Sequence, residues 1–598
     1  MVVPRYRWIP PEGVHPSPAL AAAASASGFG GAALELLVAR GVHTPEELAG
    51  FLAEPAGALH DPRLLPDADL LLARIGLARV RRERVMVFGD FDADGLTGLA
   101  ILVSTLRALG LDVVPYVPSR LDEGHGLSMA AVDQAERDGV SLIVTVDTGS
   151  TSQREIGLAA GRGVEVAVTD HHRVPPEPPP AVAFVNPHRP DSAYPDARLA
   201  GSGVAFKVAQ LLLAPGSGGP PDGDETALAM ADLATIGTVS DLAPIVGENR
   251  AIARLGLERL RTAPRPGLAA LLERANVKPA DVDLERVAFA LAPRLNAAGR
   301  VGEAVEAARL LLADDPAEAT ILAEALDTAN VTRRDLTRQA VLDAREARAG
   351  TDDEAIVLAR GPWPVGIVGL VAARLSEETG RPAVVGAEIG SVVRASCRSA
   401  PGFDLAAALE SCSHLLLRHG GHAGAAGFEV AAERWDEVAA HLRALATVAL
   451  PPDPRPSLRI DVALPAAAVD YALVRDVARL APFGPGNPDP LVAVLDIGVG
   501  RARPANGGHT QLVLRRERDV LDAIAFGRED LVEALTEGTR VDVVARLASR
   551  SFAGIESLQL EVRDVGPAGT YAEAVRLAGA PAAAPTAEAL VVPAIAAR

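Results

Sequence analysis

The feature that most constrains this chain is a repeated unit: a short apolar run that stops on an acid or a histidine and hands over to a helix. RVMVFGDFDADGLTGLAILVSTLRALG reads as buried strand, polar loop and helix. LDVVPYVPSR reads as strand and loop, SLIVTVDTGS as a strand ending at Asp147, and VEVAVTDHH as a strand ending at Asp170, His171 and His172. Short apolar strands alternating with helical segments imply a parallel α/β sheet. In such sheets the chemistry sits beyond the carboxyl ends of the strands, which is where these acids and imidazoles fall.

Four clusters carry the chemistry. Asp90, Asp92 and Asp94 stand at i, i+2 and i+4, and three carboxylates so close repel one another unless a cation lies among them. The others are Asp147, the Asp170-His171-His172 run, and Asp241 in IGTVSDLAP, the last read here as another acid after a strand. Carboxylates with one or two imidazoles suit Mn²⁺ or Mg²⁺ better than a thiolate-preferring metal. A carboxylate bridging two ions about 3.5–4 Å apart gives a two-metal phosphoesterase site. A calcium loop needs a glutamate at its twelfth position, where this chain has Ile101. Helix capping would account for Asp147 or Asp241 alone, and a surface loop for the histidines alone. Recurrence at one end of successive strands argues against those readings jointly.

The 598 residues leave room for about three to five domains. With 49% hydrophobic but only 3% aromatic residues, the cores are aliphatic. Cys397 and Cys412 form no CxxC pair, which fits a reducing cytoplasm and excludes a cysteine zinc site. The N-terminus lacks the layout of a signal peptide and no apolar run is long enough to span a membrane. The net charge of −19 opposes a broadly basic nucleic-acid surface. A DNA track must therefore be local, and binding to duplex weak.

The expected architecture is α/β with a β-barrel. Residues 1–75 form a helical leader, with a capping box at Thr44 and Glu47. Residues 76–315 hold the parallel sheet, 316–350 a long connecting helix, and 351–448 a second α/β unit. Segment 214–226 reads as a surface loop and ALPPDPRPS (449–457) as a boundary. Residues 456–566 supply the short alternating strands of a barrel, and 567–598 a flexible Ala/Pro-rich tail.

GDFDADG, VTVDTG, TDHH and GTVSD together resemble the four ordered motifs of the DHH phosphoesterases. The resemblance implies that Asp94, Asp147, His171 and Asp241 hold one divalent ion. It gives Asp92 and Asp147, helped by Asp90, the other, so that Asp147 is the bridge. His172 would stand beside the scissile phosphate, and Asp170 would orient the histidines. PSRLDEGHGL, GSGVAFK, APRLNAAGR, WPVGIVGLVAARL, SCRS and GGHAGAAGF resemble the RecJ branch. On that basis 351–448 is a DHHA1 domain, and PFGPGNPDP followed by short strands opens an OB-fold.

The branch resemblance implies a 5′→3′ exonuclease that degrades single-stranded DNA to 5′-mononucleotides with two Mn²⁺ or Mg²⁺ ions, in DNA repair and recombination. Its expected partners are single-stranded DNA, a single-strand-binding protein and a recombination helicase, with the enzyme itself a monomer. Arg120, Ser202 and Arg300 would bind a terminal 5′-phosphate, and His125 and Asn296 would also bind substrate. Arg398, Gly421 and His422 would contact the backbone near the cut. Arg501, Arg503, Arg515, Arg516 and Arg518 form a basic cluster in the barrel, with Phe483 and Phe552 the nearest stacking candidates. Two positions depart from the pattern: His125 stands where tyrosine is usual, and Pro364 follows Trp363 where histidine is usual. Two alternatives stay open, a small-substrate enzyme of the oligoribonuclease or pAp phosphatase type and a non-catalytic DNA-binding scaffold.

Overall fold

The computed structural model describes residues 2–11, 16–120, 122–347, 355–450, 455–552 and 555–579. After a short strand β1 (Arg7–Ile9), the chain builds a parallel sheet. Its strands are β2 (Arg84–Gly89), β3 (Asp112–Tyr116), β4 (Val140–Val146), β5 (Glu165–Thr169) and β6 (Ala183–Val185). They lie in the order β3-β2-β4-β5-β6. Val85 and Val87 face one core with Leu99 and Val103, while Met86 and Phe88 face the other with Val132 and Ile156. Burial on both faces is why these strands read as unbroken apolar runs. The direction of travel across the sheet reverses between neighbours β2 and β4, which opens a crevice at their carboxyl ends.

The long helix Pro316–Ala347 leads to the second α/β unit, as expected. There β7 (Val357–Gly361), β8 (Ala383–Ile389), β9 (Val392–Arg398), β10 (Arg418–Gly421) and β11 (Ala425–Ala431) form a mixed sheet ordered β10-β11-β9-β8-β7. The helix Val365–Thr379 covers one face and the helices Leu405–Ser411 and Trp435–Ala449 the other. The glycine-rich GGHAGAAGF stretch is the β10–β11 hairpin.

Downstream come β12 (Ser457–Arg459), β13 (Val462–Leu464), β14 (Leu491–Ala505), β15 (His509–Arg516), β16 (Asp519–Ala525), β17 (Arg540–Phe552) and β18 (Ile555–Pro567). The barrel closes because β14 pairs with both β15 and β17. Irregularities at Val494/Ile497 and Val499/Arg501 bend this one long strand around the corner.

Three expectations need correcting. The leader is not a unit of its own: Leu20, Leu36 and Leu37 share one core with Val462, Leu480 and Val543 of the barrel region. Strand β1 pairs in parallel with β12, and the amide of Arg5, the amide of Tyr6 and the indole of Trp8 all donate to the Asp564 carboxylate. The capping box stands as read, with the Glu47 amide donating to Thr44 Oγ1 at 3.1 Å and the Glu47 carboxylate accepting from the Thr44 amide. The 214–226 loop ends early, because a helix starts at Gly223 (Gly223–Ala229). Part of the tail is ordered as a helix, Thr570–Ala578; residues 580–598 lie outside the described residues. So do 451–454 of the proline-marked boundary and the side chain of Phe552. Among the described residues no helix is long and apolar enough to cross a membrane.

Candidate metal centre

The turn after β2 sets the first three acids. Asp92 caps the helix Ala93–Ala108, its Oδ1 accepting from the amides of Asp94 (3.0 Å) and Gly95 (3.1 Å). Gly95 is required here, since a Cβ would lie 2.5 Å from the Asp90 carbonyl. Asp94 is gripped from the far side: both its oxygens accept backbone amides, from Gly201 at 2.7 Å and Ser202 at 2.9 Å, at the start of the helix Gly201–Leu213. The amide-rich end of that helix favours a carboxylate. Asp147 follows β4 in left-handed backbone conformation, φ +60°, which aspartate is among the few non-glycine residues to adopt.

These elements bring the distant side chains together. His171 Nε2 lies 3.0 Å from Asp147 Oδ1 and 3.8 Å from Asp94 Oδ2, and His171 Nδ1 lies 4.0 Å from Asp241 Oδ2. Three sets of ligand atoms fall within 4.8 Å of one another: Asp94, His171, Asp241; Asp90, Asp92, Asp147; and Asp147, His171, His172. The first set lacks Asp147 of the four residues expected around one ion; Asp147 belongs to the second set, and its Oδ1 meets His171 of the first. Asp147 Oδ1 and His171 Nε2 are buried and neither has a hydrogen-bond partner. Buried polar atoms are almost always satisfied, so an orphaned carboxylate oxygen facing an orphaned imidazole nitrogen fits a cation bound by both.

The electrostatics agree. Burial, then the charges of Asp90 and Asp94, push Asp92 up to about 6. Burial, then Asp94 and Asp92, push Asp241 up to about 8, and Asp147 is raised well above the carboxylate range by burial and the same neighbours. A carboxylate raised on folding adds stability below its unfolded value and loses it as pH rises through the folded one. The metal-free protein therefore weakens between about pH 5 and about pH 8, where bound cations reverse the effect. Differential scanning should show a larger Mn²⁺-induced rise in Tm at about pH 8 than at about pH 5.5, by several degrees. Equal shifts at the two pH values would mean that these acids do not face one another.

Asp170 is fully buried and acts from behind. Its Oδ1 accepts from the backbone of His171 (2.8 Å), from the backbone of His172 (3.1 Å) and from His172 Nδ1 (2.8 Å), and its Oδ2 accepts from the Ser150 amide. Burial alone would raise its pKa, but the His172 and Ser150 hydrogen bonds outweigh that and hold it below the usual range. The Asp170 hydrogen bond in turn raises His172 to about 9.

Asp241 needs a correction in context. It follows the helix Ala231–Ser240, not a strand, and occupies its C-terminal cap. Ser202 does not line the crevice: it is fully buried, its hydroxyl bonded to the Ala234 carbonyl, and it serves Asp94 through its amide. Asn296 likewise braces the site, accepting from the Ala93 amide and donating to Ser240 Oγ. His125 bonds Asp90 Oδ2 at 3.0 Å and packs on Phe91. Arg120, Arg300 and Arg398 are brought together: burial, then Arg120, Arg333 and Arg398, lowers Arg300 to about 9. Gly421 and His422 are exposed in the hairpin, and Gly421 has φ +133°. Phe483 packs on the barrel core. Arg503 is bonded to Gln511 and Arg516 to the Leu495 and Asp496 carbonyls, so neither is a wholly free side chain. Sequence reasoning missed Asn186, whose Nδ2 donates to Ser150 Oγ and the His172 carbonyl, and Arg333 on the long helix. No spacing signal marks either.

The comparisons fit this geometry. The family described as "DHH family, N-terminal domain" matches residues 84–238, "DHHA1 domain" residues 352–447, and "RecJ OB domain" residues 460–564. The single-stranded-DNA-specific exonuclease RecJ of Bacillus subtilis is 36% identical over 536 residues, covering 88% of this chain and 67% of that protein. The chain belongs to the RecJ family. The RecJ exonuclease of Escherichia coli is 33% identical, covering 81% of this chain and 87% of its own. The crystal structure of RecJ from Thermus thermophilus in complex with Mn²⁺ matches with a TM-score of 0.79 at 33% identity, covering 94% of this chain and 80% of that one. A Mg²⁺ complex of the same RecJ matches at 0.75 with 32% identity, covering 94% and 78%.

Proposed function

We propose that this chain is a 5′→3′ exonuclease that hydrolyses single-stranded DNA to 5′-mononucleotides. The observation that carries the reading is the pairing of orphaned Asp147 Oδ1 and His171 Nε2 at 3.0 Å within two ligand sets. Asp94, His171 and Asp241 would hold one ion and Asp90, Asp92 and Asp147 the other. Bound there, two divalent ions lower the pKa of a water and neutralise phosphoryl charge.

The chain's own groups supply orientation. His172, held by Asp170, offers its free ring nitrogen toward the phosphate as a hydrogen-bond donor. The charges of Arg120 and Arg398 act on Arg300; among the described residues none of the three forms an ion pair, although Arg300 Nη1 donates to the Gly366 carbonyl and Arg398 Nη1 to the Cys397 carbonyl. Arg120 also lies over the Phe91 ring, 4.7 Å from its centroid. Guanidinium groups without a carboxylate partner suit a terminal phosphate, which their remaining N–H donors can grip. A pocket that holds the 5′-phosphate measures one nucleotide from the end to the cut. RecJ membership supports extending the reading to repair and recombination, in a monomeric cytoplasmic enzyme working with a single-strand-binding protein and a helicase.

The test is digestion of end-labelled single strands, with and without a 5′-phosphate, in Mn²⁺. A 5′ label should leave first, as mononucleotide, and the phosphorylated strand should be cut faster. Arg300→Ala should cost about 10- to 100-fold on phosphorylated strands and erase the preference. Release beginning at a 3′ label would sink the reading. Dinucleotides turned over as well as long strands would favour a small-substrate enzyme.

A further inference from the structure

We propose that the barrel's Gly484–Asn487 loop positions the metal ligand Asp241, so that the barrel is a structural part of the catalytic centre. The inference rests on Asp241 being a ligand, as read above. Asp241 ends its helix and is followed by Leu242 at φ +59°, a left-handed conformation unfavourable for a branched apolar residue. The turn is closed by the Ala243 amide on the Thr238 carbonyl at 3.1 Å. Strain of this kind persists only where the surroundings over-determine the backbone.

Those surroundings come from the barrel region. The Ile245 amide donates to the Pro485 carbonyl at 2.6 Å. Gly484 lies so close that a Cβ would stand 2.5 Å from Ile245 Cγ1. Gly486, at φ +74°, covers Pro244 and Val246. Gly484 and Asn487 pair with each other through both backbone bonds, at 2.9 and 3.0 Å. The buried Asn487 side chain pins the loop by donating to the Leu480 and Pro482 carbonyls. Arg40 Nε, from the leader, donates to Asn487 Oδ1, and Arg250, four residues beyond Val246, donates to Leu480. Three residues thus separate the ligand Asp241 from Ile245, whose amide is fixed by another part of the chain. None of these loop residues belongs to a ligand set, so their role is positioning.

Gly484→Ala and Asn487→Ser test this on the full chain, with Asp241→Ala as reference. Mn²⁺ binding is measured by calorimetric titration of EDTA-treated protein, alongside nucleotide release at rising Mn²⁺. Both loop variants should bind one of two Mn²⁺ ions about 10-fold more weakly or worse, with the second little changed. Their nucleotide release should recover at high Mn²⁺, as a lost scaffold would not. In the Gly484→Ala background, Ile245→Ala should restore part of the Mn²⁺ affinity by making room for the new methyl. If Asp241→Ala loses an ion while both loop variants bind Mn²⁺ normally and merely melt earlier, the positioning role is refuted and the ligand reading stands. If Asp241→Ala itself keeps both ions, the ligand reading fails and the inference with it.

Discussion

Asp147→Asn will reduce Mn²⁺-dependent nucleotide release by at least about 10³-fold, about 4 kcal/mol of barrier, while the protein stays folded. The size follows from position: Asp147 belongs to one ligand set and its Oδ1 lies 3.0 Å from His171 of another, so on the proposed reading its loss would disturb both ions. Asparagine keeps the shape and tolerates the φ of +60° that most residues resist. It also removes one negative charge from a buried cluster whose members push one another's pKa upward. Melting in EDTA should therefore be unchanged or higher, even as activity vanishes. Activity within tenfold of the unmutated protein would remove Asp147 from the centre.

His172→Ala comes next in size, with an expected fall in kcat of about 10²- to 10⁴-fold. Mn²⁺ stoichiometry should be preserved, because His172 Nδ1 is already held by Asp170 at 2.8 Å, which leaves the Asp94, His171, Asp241 and Asp90, Asp92, Asp147 sets intact. Asp170→Asn should have an intermediate effect, since it weakens the 2.8 Å bond that fixes the ring without removing it. A drop in bound Mn²⁺ for His172→Ala would make it a ligand and refute the phosphate-facing role.

Much of this site was legible in the sequence. The strands β2, β4 and β5 are buried on both faces, so their apolar runs are unbroken and their ends sharp. Acids after such ends could be placed without a structure. Asp241 was set in the right cluster but on the wrong element. The Ala231–Ser240 helix is buried on nearly every side, and a wholly buried helix shows no amphipathic stripe to distinguish it from a buried strand. Ser202 and Asn296 show another limit: a motif locates a residue along the chain, whereas whether its side chain or its amide serves the site depends on packing. The bracing by Asn186, and the union of leader and barrel, depend on contacts between segments far apart in sequence, which no local pattern encodes.

The seam between β1 and β12 has a consequence for how the molecule is made. Strand β1 is synthesised some 450 residues before its partner β12, and Asp564, which anchors Trp8, comes later still. Until then the apolar faces carrying Leu20, Leu36 and Leu37 have nothing to cover them. The two α/β units can mature first, while the leader waits as sticky, unsatisfied surface. A shortened chain ending before the barrel would keep that surface for good, along with a turn after Asp241 that had lost its contacts to Gly484 and Pro485.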